Sequence, residues 1–329
     1  MLIAVFAFAA FPQCFAAESK EQEAQPSDIT EKSAKECFDS FARLPINKRL
    51  EQNNPDMFEP TFLRIHKDLY SSYDKKCLYG WGSLHDYTRE FLGENVGGLF
   101  SGNDPSPFCV AFRVTNDAIA TAGHCPVSPG ATAMRLYGHP GDPITVGDKI
   151  VVPQGDAQAL PDLGDYALYR LRGKVNPSRW TPATFTRSIA DHQAILIVAP
   201  SRISPRAIAD DDVEKWLEEV RFSRMPSNQI SLPGDVQPLV PNGLPRTDCL
   251  FHQSPTLFGM SGAPIVAITV KPGAEPIFHV IGIHLRNGFK HDDPRKKGCG
   301  AHYPYNVGIR IPAGVMAALQ SGTLGIGPN

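Results

Sequence analysis

Charge of one sign is what this chain most clearly lacks. Thirty-two Lys and Arg stand against 34 Asp and Glu, a net charge of −2, and no long basic run breaks the balance. Nucleic acid and an acidic membrane surface are therefore not expected partners. Long apolar runs are also missing. The one at the amino end, MLIAVFAFAAFPQCFAA, is interrupted by Pro12 and falls short of the ~20 residues a membrane span needs. No internal repeat at a fixed period and no low-complexity tract is present, which removes the repeat architectures. Paired metal-ligand spacing is absent too. In KHDDPRKKGCGAH the residues His291, Asp292, Asp293, Cys299 and His302 are spread wider than structural zinc sites prefer. That run reads as a solvated loop, and no metal or cofactor is expected.

What the chain does contain points elsewhere. It has 329 residues, 42% hydrophobic and 20% charged, which is ordinary globular composition. Thirty prolines and 28 glycines lie scattered among short apolar runs, favouring an all-β protein with many turns. Residues 1–17 resemble a signal peptide with a small residue, Ala16 or Ala17, at the cleavage point. No Lys or Arg precedes the apolar run, so an anchor is the alternative use of the segment. Phe15 after Cys14 makes a poor match to a lipid-modified cysteine. Removing Cys14 with the signal leaves Cys37, Cys77, Cys109, Cys125, Cys249 and Cys299. An even count in an exported chain argues for disulfides and leaves their pairing open. The expected location is secreted or periplasmic.

Residues 18–95 read as an N-terminal extension or propeptide. Ala34, Cys37, Phe38, Phe41 and Leu44 recur there at helical spacing, with Asp28 as a cap. From residue 96 the texture changes to short strand-like runs. CVAFRV (109–114), AIATA (118–122), ITVGDKIVV (144–152) and YALYRL (166–171) form one group. AILIVA (194–199), APIVAITV (263–270), FHVIGIHL (278–285) and NVGIRI (306–311) form a second. Two groups of similar size suggest two β-barrels side by side, over about 96–180 and 190–311. Between them VEKWLEEV (213–220) has a helical apolar stripe capped by Asp210–Asp212. A last helix, PAGVMAALQ, is expected to hold Pro312 in its first turn.

Three neighbourhoods carry chemistry when taken together. ATAGHC puts His124 directly after a strand, GDYALYRL puts Asp165 at the head of one, and SPTLFGMSGAP sets Ser261 among glycines. Alone, each reads blandly, as a structural histidine, a turn acid and a tight turn. A serine hydroxyl, however, is a poor nucleophile until a base takes its proton, and imidazole suits that work at neutral pH. The imidazole needs a carboxylate on its other nitrogen to fix the tautomer and stabilise the imidazolium that forms. Glycines beside the serine let backbone N–H groups turn toward a developing oxyanion, each donor being worth roughly 2.7–4 kcal/mol.

These blocks resemble the signature blocks of trypsin-like serine proteases, in that family's order of His, Asp, Ser. The separations, 41 residues from His124 to Asp165 and 96 from Asp165 to Ser261, are similar to the family's. The resemblance covers roughly residues 96–320. It implies an all-β chymotrypsin-like fold of two packed antiparallel barrels of six-stranded type, with an N-terminal helical extension and a C-terminal helix. It implies a triad of His124, Asp165 and Ser261, with an oxyanion hole from Gly259, Met260 and Ser261. It also implies a disulfide between Cys109 and Cys125, sixteen residues apart around the histidine. Cys249 and Cys299 bracket the pocket segments and are expected to brace them, which leaves Cys37 with Cys77.

The chain departs from the family where Met260 replaces the usual Asp before the serine, which puts activation through a new amino terminus in doubt. Ala263 replaces a Gly. The acid that gives trypsins their basic preference would fall near Pro255, so that preference is not expected. Thr256 and His284 instead look like the specificity residues of bacterial glutamyl endopeptidases, where an imidazolium would pair with a substrate carboxylate. Arg286 is a second cation nearby and reads as a surface salt bridge. The expectation is a secreted, monomeric serine endopeptidase acting on protein or peptide substrates through an acyl-enzyme, with Glu before the cut. The rival is a catalytically silent secreted binding protein that retains the fold.

Overall fold

Short apolar runs punctuated by Gly, Pro and Asp become strands, and their pairing builds two β units. The computed structural model describes residues 79–102, 107–150, 162–173, 176–178, 184–185, 194–199, 221–225, 230–231, 248–252, 259–269, 273–286, 299 and 306–321. The signal segment, the expected helices near 34–44 and 213–220, Cys37, Cys77, Thr256, His291, Asp292, Asp293 and His302 lie outside the described residues.

A two-residue strand β1 (Tyr79–Gly80) and a helix α1 (Asp86–Asn95) lead into the first unit. That unit comprises β2 (Val96–Ser101), β3 (Cys109–Arg113), β4 (Ala118–Ala122), β5 (Thr132–Leu136), β6 (His139–Ile150) and β7 (Tyr166–Arg172). They close into a six-stranded barrel in the order β2-β3-β4-β7-β6-β5. Closure removes the edges that an open sheet would expose. Residues of β3 and β4 are buried throughout, which explains why these runs are apolar without alternation.

The second unit holds β8 (Thr184–Phe185), β9 (Ala194–Ala199), β10 (Arg221–Met225), β11 (Ile230–Ser231), β12 (Cys249–His252), β13 (Pro264–Thr269), β14 (Ile277–Arg286) and β15 (Asn306–Arg310). Six of them run antiparallel in the order β10-β9-β13-β14-β15-β12. Two-residue strands extend both ends, β1 on β10 and β11 on β12, and β8 joins β14 in parallel, making nine strands. Among the described residues the architecture is mostly β, as expected, a closed six-stranded barrel plus a second sheet, with α-helices before the barrel and after the second sheet. The last helix, α2 (Ala313–Gln320), starts one residue later than the sequence pattern predicts. Pro312 stands outside it with ψ 143°, an extended angle, so it precedes the first turn instead of occupying it.

Helix α1 ties the two units. His85 caps it by accepting from the Tyr87 N–H at 3.4 Å, and Asp86 sits in the first turn, where the helix dipole favours an anion. Its inner face buries Phe91 and Leu92, each worth about 1.5–3 kcal/mol of apolar transfer. Phe91 stacks on Phe278 of β14 at 4.5 Å between ring centres and 8° between planes. Asn95 donates to Phe91 O at 2.9 Å and to Ser178 Oγ at 3.2 Å. A single hydrophobic core then continues through both units, from Val96 and Leu99 to Ile283 and Val315. Among the described residues no helix is long and apolar enough to cross a membrane.

Candidate active site

Strand β4 ends at Ala122 and the chain turns at once, Cys125 N–H donating to Ala122 O at 3.2 Å. His124 sits in that turn. A side chain at Gly123 would press within 3.0 Å of Asp165 Oδ1 and Tyr166 N, so a glycine there lets the turn reach the head of β7. The carboxylate of Asp165 receives the His124 backbone N–H on Oδ1 at 2.7 Å and the ring Nδ1 on Oδ2 at 2.7 Å. Since a carboxylate can only accept, Nδ1 carries the proton and Nε2 is the free basic nitrogen. The His124 side chain is 45% exposed and the Asp165 side chain 20%, so the base faces the solvent and the acid lies behind it.

Ser261 is held against the barrel by backbone bonds. Its carbonyl accepts from Val110 N–H at 2.9 Å, and Cys125 Sγ lies 3.8 Å from the same oxygen. Gly262 has φ +86°, and an added Cβ would stand 2.2 Å from Val110 O and 2.3 Å from Thr121 Oγ1. No other residue fits there. Gly262 N–H donates to His284 O at 2.8 Å and His284 N–H to Ala263 O at 2.9 Å, joining the loop to β14. Gly259 also has a positive φ, +85°, while the side chains of Met260 and Ala263 are fully buried. The loop is therefore fixed by apolar packing on both sides of the serine.

Of the residues expected to act together, His124 and Asp165 are directly bonded, and Ser261 is seated beside Cys125, the neighbour of His124. The serine hydroxyl itself donates to Leu285 O at 3.1 Å, not to His124 Nε2. Two disulfides are present among the described residues. Cys109–Cys125 joins β3 to the histidine turn, and Cys249–Cys299 joins β12 to the loop after β14. The first agrees with the family's interval and the second with the expected brace.

His284 is buried at 2% exposure and places Nδ1 3.2 Å from Nε2 of His252, itself fully buried on β12. Burial pushes the His252 ring down to about 3. It pushes His284 well below the usual imidazole value, helped by the nearby His252, His124 and Arg286. That desolvation works against the imidazolium expected at this position. His252 escaped the sequence reading because a histidine ending the apolar run CLFH looks like core. Arg286 is corrected, since its side chain is only 14% exposed and is paired with buried Asp162, not with a surface acid. Among the described residues no group of His, Cys, Asp or Glu is placed to hold a metal ion.

No protein-family profile matches the chain, and no curated protein matches it. Solved structures do resemble it. Kallikrein-related peptidase 10 aligns with a TM-score of 0.48 and 15% identity, over 72% of this chain and 98% of that one. Neuropsin, described as a serine protease expressed in the limbic system of mouse brain, aligns at 0.47 and 17%, over 71% and 96%. At that level the likeness carries no chemistry from those proteins to this chain.

Proposed function

We propose that this chain is an exported serine endopeptidase, with Ser261 as nucleophile, His124 as general base and Asp165 as the residue that orients and stabilises it. The observation that carries this reading is the double grip of Asp165 on His124 immediately beside the Ser261 loop. In the reaction, Ser261 Oγ turns from Leu285 O toward His124 Nε2 and attacks the substrate carbonyl, passing its proton to the imidazole. Backbone N–H groups of Gly259, Met260 and Ser261 hold the oxyanion. The C–N bond then breaks, the amine leaves with the proton from Nε2, and a Ser261 ester remains. Water attacks by the same route, releasing the acid and restoring the hydroxyl. Two disulfides support an oxidising compartment outside the cytoplasm.

The test is labelling of the full chain with a fluorophosphonate, read by mass. The wild type should gain one adduct and Ser261→Ala none, since losing such a nucleophile removes about 10⁶-fold of rate. A wild type that stays unlabelled would leave the silent binding protein as the reading, which the Ser261–Leu285 hydrogen bond favours.

For specificity, in the tautomer where His252 Nε2–H donates to His284 Nδ1, a neutral His284 would still offer Nε2–H to a substrate carboxylate. Preference for Glu would then rest on hydrogen bonding, with Thr256 as second donor. Peptides differing only at the residue before the cut decide it: equal cleavage after Glu, Leu and Lys removes the preference.

A further inference from the structure

Asp162 and Arg286 come from different units, yet they meet as a two-pronged pair. Arg286 Nη1 donates to Asp162 Oδ1 and Nη2 to Oδ2, both at 3.1 Å. Oδ2 also accepts the backbone N–H of Cys299 at 2.8 Å. The acid side chain is 5% exposed and the guanidinium side chain 14%. A pair this buried adds little net stability, because desolvating two charges cancels most of their attraction. What it imposes is geometry, and both ends are wired to the site.

On the acid's side, Asp162 O accepts the Asp165 N–H at 3.2 Å. The carboxylate that holds Arg286 and the carboxylate that holds His124 thus belong to one turn. On the other side, Arg286 follows Leu285, whose carbonyl takes the Ser261 hydroxyl, and His284, whose carbonyl takes the Gly262 N–H. Strand β14 slips register against β15 at this point, pairing His284 with Gly308 but Arg286 with Val307. Leu285 is the extra residue of the bulge, and bulges re-aim the side chains beside them. The third contact, Cys299, is covalently fixed to β12.

We infer that Asp162 and Arg286 are positioning residues that set the register between the His124–Asp165 half of the site and the Ser261 half. The inference rests on the hydrolase reading above. Neither residue touches the reacting atoms; they act through the turn before Asp165 and through the Leu285 carbonyl.

The test uses the full chain with Asp162→Asn, Arg286→Gln, both together, and Arg286→Lys. The rate of fluorophosphonate adduct formation is measured per folded molecule, the folded fraction being read by near-ultraviolet circular dichroism. Each single neutral variant should label about 100-fold more slowly, the scale expected when reacting groups are misplaced by an ångström or so. On a cleaved peptide kcat should fall while KM stays close to the wild-type value. Arg286→Lys keeps the charge without the fork and should recover part of the rate. The double variant should lose no more than the worse single one, because both act through one pair. If a single variant unfolds around its lone buried charge, the double variant, which leaves none, supplies the reading. Folded variants that label at the wild-type rate would overturn the inference while leaving the hydrolase intact. A wild type that takes no adduct would overturn the hydrolase reading and this inference with it.

Discussion

Asp165 holds His124 twice, through the backbone N–H and through ring Nδ1, at 2.7 Å in each case. The first bond fixes where the residue sits and the second fixes which way the ring faces. Asp165→Asn keeps the shape but replaces an acceptor oxygen with a donor, which favours the wrong tautomer. Labelling of Ser261 should slow on the order of 10⁴-fold, with the melting temperature close to that of the wild type. A rate within a factor of about 10 of wild type would show that the carboxylate does not orient the base.

The buried histidines make stability depend on pH in a definite direction. In the unfolded chain each ring binds a proton below about 6.5, whereas His252 in the native chain resists protonation down to about 3. The unfolded state therefore binds more protons in that window, and stability is full above it and lost as pH falls. Each such ring contributes up to about 1.4 kcal/mol per pH unit. Urea unfolding at about pH 5 and about pH 7 should show the loss, and His252→Gln should flatten it.

Gly262→Ala should be the most damaging small substitution in the serine loop. It must adopt a positive φ and place a methyl group 2.2 Å from Val110 O. A cost of at least about 2 kcal/mol and a displaced Ser261 follow. Gly82→Ala, which meets nothing within 4 Å, is the control and should be near neutral in thermal unfolding.

The disulfides predict a thiol count and two stability losses. Alkylation without reduction should leave Cys109, Cys125, Cys249 and Cys299 unmodified. Replacing the first pair by Ala should cost about 3 kcal/mol and the second, which closes a longer loop, about 4 kcal/mol. Denaturant titration measures both.

Helix α1 belongs energetically to both β units. Phe91→Ala removes the stack on Phe278 and should cost about 3–5 kcal/mol. A chain beginning at residue 96 would lack that ring, Leu92 and β1 together, and should not yield a folded product. A chain beginning at residue 79 keeps all three.

Much of this was legible where the chemistry is local. ATAGHC and GDYALYRL each carry their expected site residue at a strand end, and strands of unbroken apolar residues such as AILIVA announce themselves. Strand β2 was harder to see because VGGLFS contains two glycines, which lower strand propensity until β3 and β5 pair with it. Helix α1, rich in charge, shows its apolar face only at Phe91 and Leu92. The Asp162–Arg286 fork joins residues 124 positions apart, and nothing in PDLGD or HLRNG signals that each is buried. Contacts of that kind exist only after both units have folded.

Met260, the residue before the serine, is wholly buried. A thioether side chain carries no net charge for salt to screen. Ionic strength should therefore leave the shape of the Ser261 loop alone, and under the proposed function brine would change how fast a substrate arrives without changing how well the hydroxyl is aimed.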